Sequence, residues 1–149
     1  MPYLIDSNWL IDHLEDVPAA SELFERLAQE GIAISIISYM EAYQGLERSP
    51  SPEQAQSKFQ ALIESIPTLP FSMAVAKRCA RLRETLRNQG KSVNTRALDL
   101  IIAATALEYN LTLVTRNIED FDDIPDLKLH QQNNLITVRF LKRQKAVAD

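Results

Sequence analysis

The sequence predicts a single-domain, three-layer α/β/α fold on a parallel sheet, and three observations carry that reading. Short apolar runs rich in β-branched residues, Tyr3-Leu4-Ile5, Ile32 to Ile37 and Leu111 to Thr115, alternate with stretches of helical periodicity. No linker or low-complexity segment divides the 149 residues, a length that supports one sizeable core. Each of these runs also stops at a polar segment that contains an acid: Asp6-Ser7-Asn8, Ser38-Tyr39-Met40-Glu41, and Arg116-Asn117-Ile118-Glu119-Asp120. Open α/β sheets keep their sites at the carboxyl ends of their strands.

The elements follow in order. Tyr3-Leu4-Ile5 is too brief for a helix and reads as a buried first strand, followed by a helix through Trp9, Leu10 and Leu14. A helix from Pro18 to Glu30 puts Ala20, Leu23, Phe24, Leu27 and Ala28 on one face and stops at Gly31. Ile32 to Ile37 is an interior strand by its β-branched content, and Ser38 opens a helix that carries Glu41 and ends near Gly45. Ser49-Pro50-Ser51-Pro52 is a loop, and the helix beyond it packs Ala55, Phe59, Leu62 and Ile63. Pro67 to Phe71 fits a strand at a sheet edge, because Pro67 and Pro70 remove ladder donors. Ser72 caps a helix carrying Val75, Ala76, Cys79, Leu82 and Leu86, which Gly90 ends. Asn94 or Thr95 caps the helix from Arg96 to Tyr109, Leu111 to Thr115 is the next strand, and Leu127 to His130 a weak final one. The pattern accounts for residues 1–131. Residues 132–149 form a C-terminal extension in which Ile136 to Leu141 is an added strand or helix and the last residues fray.

Composition narrows the function classes. No run of 18 or more apolar residues occurs, so no membrane span is expected. Met1-Pro2-Tyr3-Leu4-Ile5-Asp6 lacks the basic start of a signal peptide, and the expected location is the cytoplasm. Cys79 is the sole cysteine, which excludes an intrachain disulfide and a cysteine zinc site. A net charge of −4 argues against nonspecific coating of nucleic acid but not against a nuclease whose site collects acids. Two basic clusters, Arg78 to Lys91 and Arg139 to Lys145, are either nucleic-acid contacts or solvated faces. With three glycines in all, the chain has no glycine-rich phosphate loop.

The acids carry the chemistry. Carboxylates at the ends of parallel strands, joined by Asp99 from a helix, would form an oxygen-only pocket for Mg²⁺ or Mn²⁺, suited to phosphodiester cleavage. Each also has an ordinary structural use. Asp6 fits a helix N-cap, Ser38 with Glu41 fits a capping box, and Asn117 to Asp120 fits the cap of a short helix. Asp99 lies among Leu98, Leu100, Ile101 and Ile102 on a helix apolar nearly all round, so burial is expected, and a buried carboxylate needs a partner or a cation. His13 and His130 have no acid–nucleophile arrangement around them, and Trp9, Tyr39, Tyr43 and Phe121 read as core or interface rather than as base-stacking platforms.

Taken together, Asp6-Ser7-Asn8, Glu41 after Ser38, Asp99-Leu-Ile-Ile-Ala-Ala-Thr-Ala and Leu111-Thr-Leu-Val-Thr-Arg-Asn-Ile-Glu-Asp-Phe resemble the PIN domain family, specifically its VapC-type toxins. The resemblance implies about five parallel strands in the order 3-2-1-4-5, with Asp6 brought beside Thr115 to Asp120. It implies a Mg²⁺- or Mn²⁺-dependent endoribonuclease in which Asp6, Glu41 and Asp99 hold the metal, with Asn117 or Asp120 completing the site. Ser7, Asn8 and Thr115 would support these ligands, and Arg116 would clamp a phosphate or form a surface salt bridge. The implied partners are an RNA, with tRNA the family-level expectation, a cognate antitoxin and a second copy of the chain. The dimer contact would share Phe59 and Leu62 with the core. One departure stands out: many members carry a fourth acid where this chain has Asn117, which brings no charge. That favours, as the alternative, a PIN-like domain that binds RNA or protein without cutting.

Overall fold

The computed structural model describes residues 2–130, so the expectations for the C-terminal extension, and the basic cluster from Arg139 to Lys145, lie outside the described residues. The strands are β1 (Tyr3–Ile5), β2 (Ile32–Ser35), β3 (Thr68–Leu69), β4 (Thr112–Val114) and β5 (Lys128–Leu129). The helices are α1 (Ser7–Leu14), α2 (Pro18–Ala28), α3 (Ile36–Glu47), α4 (Pro52–Ile63), α5 (Met73–Asn88) and α6 (Ala97–Glu108). Short 3-10 turns occupy Asn94–Arg96 and Ile118–Asp120. All the strand pairs are parallel, in the order β3-β2-β1-β4-β5, as the resemblance implies.

Side-chain alternation along short, doubly covered strands divides the interior in two. On one face Leu4, Ala33 and Leu113 meet Val75 and Leu86 of α5 and Leu100 and Ala103 of α6. On the other, Ile5, Ile34 and Val114 meet Leu10, Leu27 and Phe59. Each large side chain buried this way contributes roughly 1.5–3 kcal/mol relative to exposure. Ala103, Ala104 and Ala106, all 0% exposed, let α6 lie close against the sheet. The prolines flanking β3 sit at the edge, where a missing donor is tolerated. Gly31, at φ 116°, makes the reversal between α2 and β2 that a side chain would strain.

Several boundaries differ from the sequence reading. β2 ends at Ser35, not Ile37, and α3 begins at Ile36 and continues to Glu47 rather than Gly45. The cap is Ser35, whose Oγ accepts the Ser38 amide at 3.0 Å, so Ser38 is the third residue of the helix and no Ser38–Glu41 capping box forms. Ile36 and Ile37 have strand propensity, but a hydroxyl placed to take the Ser38 amide ends the strand earlier. α2 ends at Ala28. α6 starts after a 3-10 turn, with Arg96 at its cap position and no side-chain cap bond, so neither Asn94 nor Thr95 caps it. Phe59, expected in part at an interface, is 1% exposed and packs against Tyr39, which makes it core. Among the described residues no helix is long and apolar enough to cross a membrane.

Candidate active site

The parallel register puts Ile5 opposite Val114, so the residues that follow, Asp6 and Thr115, emerge side by side at the carboxyl ends of β1 and β4. The Asp6 amide donates to the Val114 carbonyl at 2.9 Å, continuing the ladder one residue past the strand. Its carboxylate is then used twice. Oδ1 accepts the Ser7 amide at 2.8 Å, and Oδ2 accepts the Thr115 hydroxyl at 2.7 Å. Asp6 is thus the N-cap of α1, and the capping and site readings hold for the same side chain. It is 5% exposed, and burial pushes its pKa up against the pull of the Thr115 and Ser7 hydrogen bonds, with the Asp120 charge adding to the rise.

Glu41 projects from the second turn of α3 and is half-buried. Burial raises its pKa first, then the charges of Asp6 and Asp99, while a hydrogen bond from the Ser7 hydroxyl opposes them. Asp99 stands in the first turn of α6. The expectation of full burial fails: Asp99 is half-buried and its neighbour Leu98 is 41% exposed. Its pKa is also raised, by burial and then by Asp6 and Asp120, with Arg96 pulling down. The three carboxylates named from the sequence therefore converge from three elements and raise one another's proton affinity.

The other expected residues are placed less uniformly. Asp120 lies exposed at the end of a 3-10 turn, and its charge reaches both Asp6 and Asp99. Asn117 enters through its backbone, its amide donating to Thr115 Oγ1 at 3.1 Å, while its side chain is exposed. The structure gives Asn8 no hydrogen bond to these acids. Arg116 is both stacked and paired: its guanidinium lies 4.1 Å over the Trp9 ring and makes an ion pair with Asp12. His13 stacks on Phe24 at 4.2 Å and His130 meets Tyr3 edge-on, so both rings serve packing.

Among the described residues, no group of three His, Cys, Asp or Glu side chains is drawn up closely enough to hold an ion as it stands. The chemistry of the donor set nonetheless fits a hard divalent cation. It is all carboxylate oxygen, partly dehydrated, and each member is penalised by the others' charge until a cation or proton arrives. A cavity of about 460 Å³ between α5 and α6 is lined by Phe71, Cys79, Arg83, Arg87 and Ile101, and none of these acids borders it.

Sequence reasoning missed one group beside the site. Arg96 donates from Nη1 and Nη2 to the Asp123 carboxylate at 2.8 and 2.6 Å, and from Nη2 to the Asp120 carbonyl at 2.7 Å. Lys91 pairs with Asp123 as well, at 3.2 Å. A cation at a helix N-terminus opposes the helix dipole, and that local oddity was the available signal.

The PIN domain family model matches residues 3–127. Ribonuclease VapC2 of Rickettsia felis is 34% identical over 131 residues, covering 87% of this chain and 96% of that protein. The tRNA(fMet)-specific endonuclease VapC of Shigella flexneri is 27% identical over 128 residues, covering 86% and 96%. In the crystal structure of VapBC2 from Rickettsia felis bound to a DNA fragment from their promoter, a chain 32% identical superposes with a TM-score of 0.76, covering 87% of this chain and 98% of that one.

Proposed function

The chain belongs to the PIN domain family, among the VapC ribonuclease toxins, and from that premise we propose how its acids cut RNA. Asp6, Glu41 and Asp99 would hold Mg²⁺ or Mn²⁺. When bound, the cation would supply a water acidified enough to attack and would offset charge on the phosphate. The protein's own contribution is orientation. Thr115 and the Ser7 amide fix the Asp6 carboxylate, and Ser7 hydrogen-bonds Glu41. Asp120 would supply the charge that Asn117 lacks. Arg116, steadied on Trp9 and by Asp12, would offer its remaining donors to a phosphate oxygen. The observation that carries this reading is the convergence of the three acids, each shifted toward the protonated form by burial and by its neighbours.

The Shigella relative's name specifies a tRNA, and a tRNA is the substrate class we propose here. The similarity to chains of VapBC complexes supports a cognate antitoxin, whose Arg or Lys would pair with Asp6, Glu41 or Asp99 and compete with the cation. Ile36, Met40 and Tyr43 form one stripe of α3 and are 39, 45 and 37% exposed; a second copy would cover them in a cytoplasmic homodimer. The test is incubation of the protein, freed of any partner, with tRNA and Mn²⁺. Cleavage stopped by chelator and absent in Asp99→Asn supports the reading. No cleavage under any condition would favour the domain that binds without cutting, which the uncharged Asn117 recommends.

A further inference from the structure

Beside Asp6 and Glu41, the acid site takes Asp99 and Asp120 from two separate pieces of chain, and something must hold these two in register. One piece is the first turn of α6, which carries Asp99. The other is the 3-10 turn Ile118–Asp120, whose last residue sends its charge to Asp99 and Asp6. That turn is secured on one side by Phe121, 1% exposed in the core. Its backbone hydrogen bonds run from the Asp120 amide to the Asn117 carbonyl at 2.9 Å and from the Phe121 amide to the Ile118 carbonyl at 3.0 Å. Asn117 adds no side-chain cap.

On the other side stands Arg96, immediately before α6. Its guanidinium spans the gap, holding the Asp123 carboxylate through both terminal nitrogens and the Asp120 carbonyl through one of them. Arg96 Nε is buried without a partner, so the geometry favours the two-ended grip over complete pairing of the side chain. Lys91, from the segment after α5, braces Asp123 from outside. The pair is not a loose surface contact: Arg96 and Asp123 side chains are 20 and 24% exposed.

We infer that Arg96 is a positioning residue which, clamped by Asp123, sets the distance between Asp99 and Asp120 and so tunes the cation affinity of the acid site. Asp123 has a second use in this arrangement. It occupies the guanidinium, which would otherwise lie free beside two acids as an internal competitor for the cation. Lysine would keep the charge but, as a single point donor, would not grip a carboxylate and a carbonyl together. Outer groups that orient ligands in this way typically change metal affinity by about 10–100-fold when removed.

The inference rests on the metal-site reading, and the experiment separates the two. Arg96→Lys and Asp123→Asn are titrated with Mn²⁺ by calorimetry beside the unaltered protein and Asp99→Asn, and amide hydrogen exchange is followed without metal. Expected are a roughly tenfold weaker Mn²⁺ dissociation constant in both clamp variants and faster exchange at Asp120 and Phe121. Exchange at Ile34, which donates to the Pro67 carbonyl between β2 and β3, should stay unchanged and report an intact fold. Unaltered affinity and unaltered exchange in Arg96→Lys would overturn the inference, as would affinity lost only in step with exchange at Ile34. If Arg96→Lys fails to fold, Asp123→Asn decides on the same two readouts. Asp99→Asn that still binds Mn²⁺ normally would instead remove the metal-site reading, leaving the exchange result to judge the clamp alone.

Discussion

The two halves of the acid site are held by different means. On the strand side, Asp6 is 5% exposed and takes direct hydrogen bonds from the Ser7 amide and the Thr115 hydroxyl. The Thr115 donor follows from the register of β1 against β4 and the Ser7 amide from the start of α1, so the orientation of this carboxylate comes with the backbone itself. On the helix side, Asp99 is half-buried and Asp120 exposed, and their spacing depends on side-chain pairing through Arg96, Asp123 and Lys91. Backbone register is costly to disturb, whereas a side-chain clamp is changed by single substitutions. The strand half therefore supplies a fixed anchor, and on the proposed reading the helix half is where cation affinity would be adjusted.

The largest effect expected is from removing a charge. Asp6→Asn and Asp99→Asn should each reduce cleavage by more than about a hundredfold. They should differ in stability. Asp99→Asn relieves repulsion at a half-buried position without losing a hydrogen bond, so the metal-free melting temperature should hold or rise. Asp6→Asn leaves an amide facing the Ser7 N–H and Thr115 hydroxyl, can satisfy them with only one oxygen, and should lower it. Equal stability in the two variants would erase the distinction between the halves.

Thr115→Val tests the strand side one step out. It removes the donor to Asp6 Oδ2 and the acceptor for the Asn117 amide. A roughly 10–100-fold loss of cleavage is expected, with about 1–3 kcal/mol lost in denaturant unfolding from groups left unpaired. Full activity in this variant would mean that Asp6 needs no orientation.

The pH dependence of stability separates the site from its clamp by sign. Asp6, Glu41 and Asp99 have folded-state pKa values above their unfolded ones, so between those values the folded protein binds more protons than the unfolded. Their contribution to stability falls as pH rises through that window. Asp123 is the reverse: the hydrogen bond from Arg96 holds its carboxyl low, and the stability it contributes is lost as pH falls through the folded-state value. Metal-free protein should therefore lose melting temperature as pH rises through the raised folded-state values of the three acids, and lose it again in acid as Asp123 becomes protonated. Asp99→Asn should flatten the upper limb and Asp123→Asn the acid one.

Much of the fold was readable because its signals are local. Ile32 to Ser35 is β-branched and bounded by Gly31, β3 advertises its edge position by Pro67 and Pro70, and Ser72 caps α5 by accepting the Val75 amide at 3.2 Å. The acids were readable because each ends or begins an element, where chemistry and capping both place polar residues. What escaped depends on three-dimensional neighbours. Ser35 and Ser38 are both plausible caps, and which one acts is settled by where β2 stops pairing. Asp99 sits in an apolar stretch, yet the tertiary packing leaves it half-buried beside an exposed Leu98. Arg96 and Asp123 are 27 residues apart, and no periodicity links a cap-position cation to an acid in a loop.

The smallest effect expected is at residue 117, an amide where the resemblance to the family leads one to expect an acid. Asn117 is exposed and contributes its backbone amide, not its side chain, to the hydrogen bonds around Thr115. Asn117→Asp adds a charge at the rim of a pocket that already holds several, and solvent screens it. Exposed charge interactions of about 0.2–1 kcal/mol correspond to no more than about a fivefold gain in Mn²⁺ affinity. Asp120→Ala should cost more than Asn117→Asp gains, because the Asp120 charge already reaches Asp6 and Asp99 from a residue whose carbonyl Arg96 pins. Calorimetric titration of both variants checks the ranking. A gain well above tenfold from Asn117→Asp would place residue 117 inside the ligand set and reduce Asp120 to a bystander, which would move the adjustable half of the site from the clamp to the end of β4.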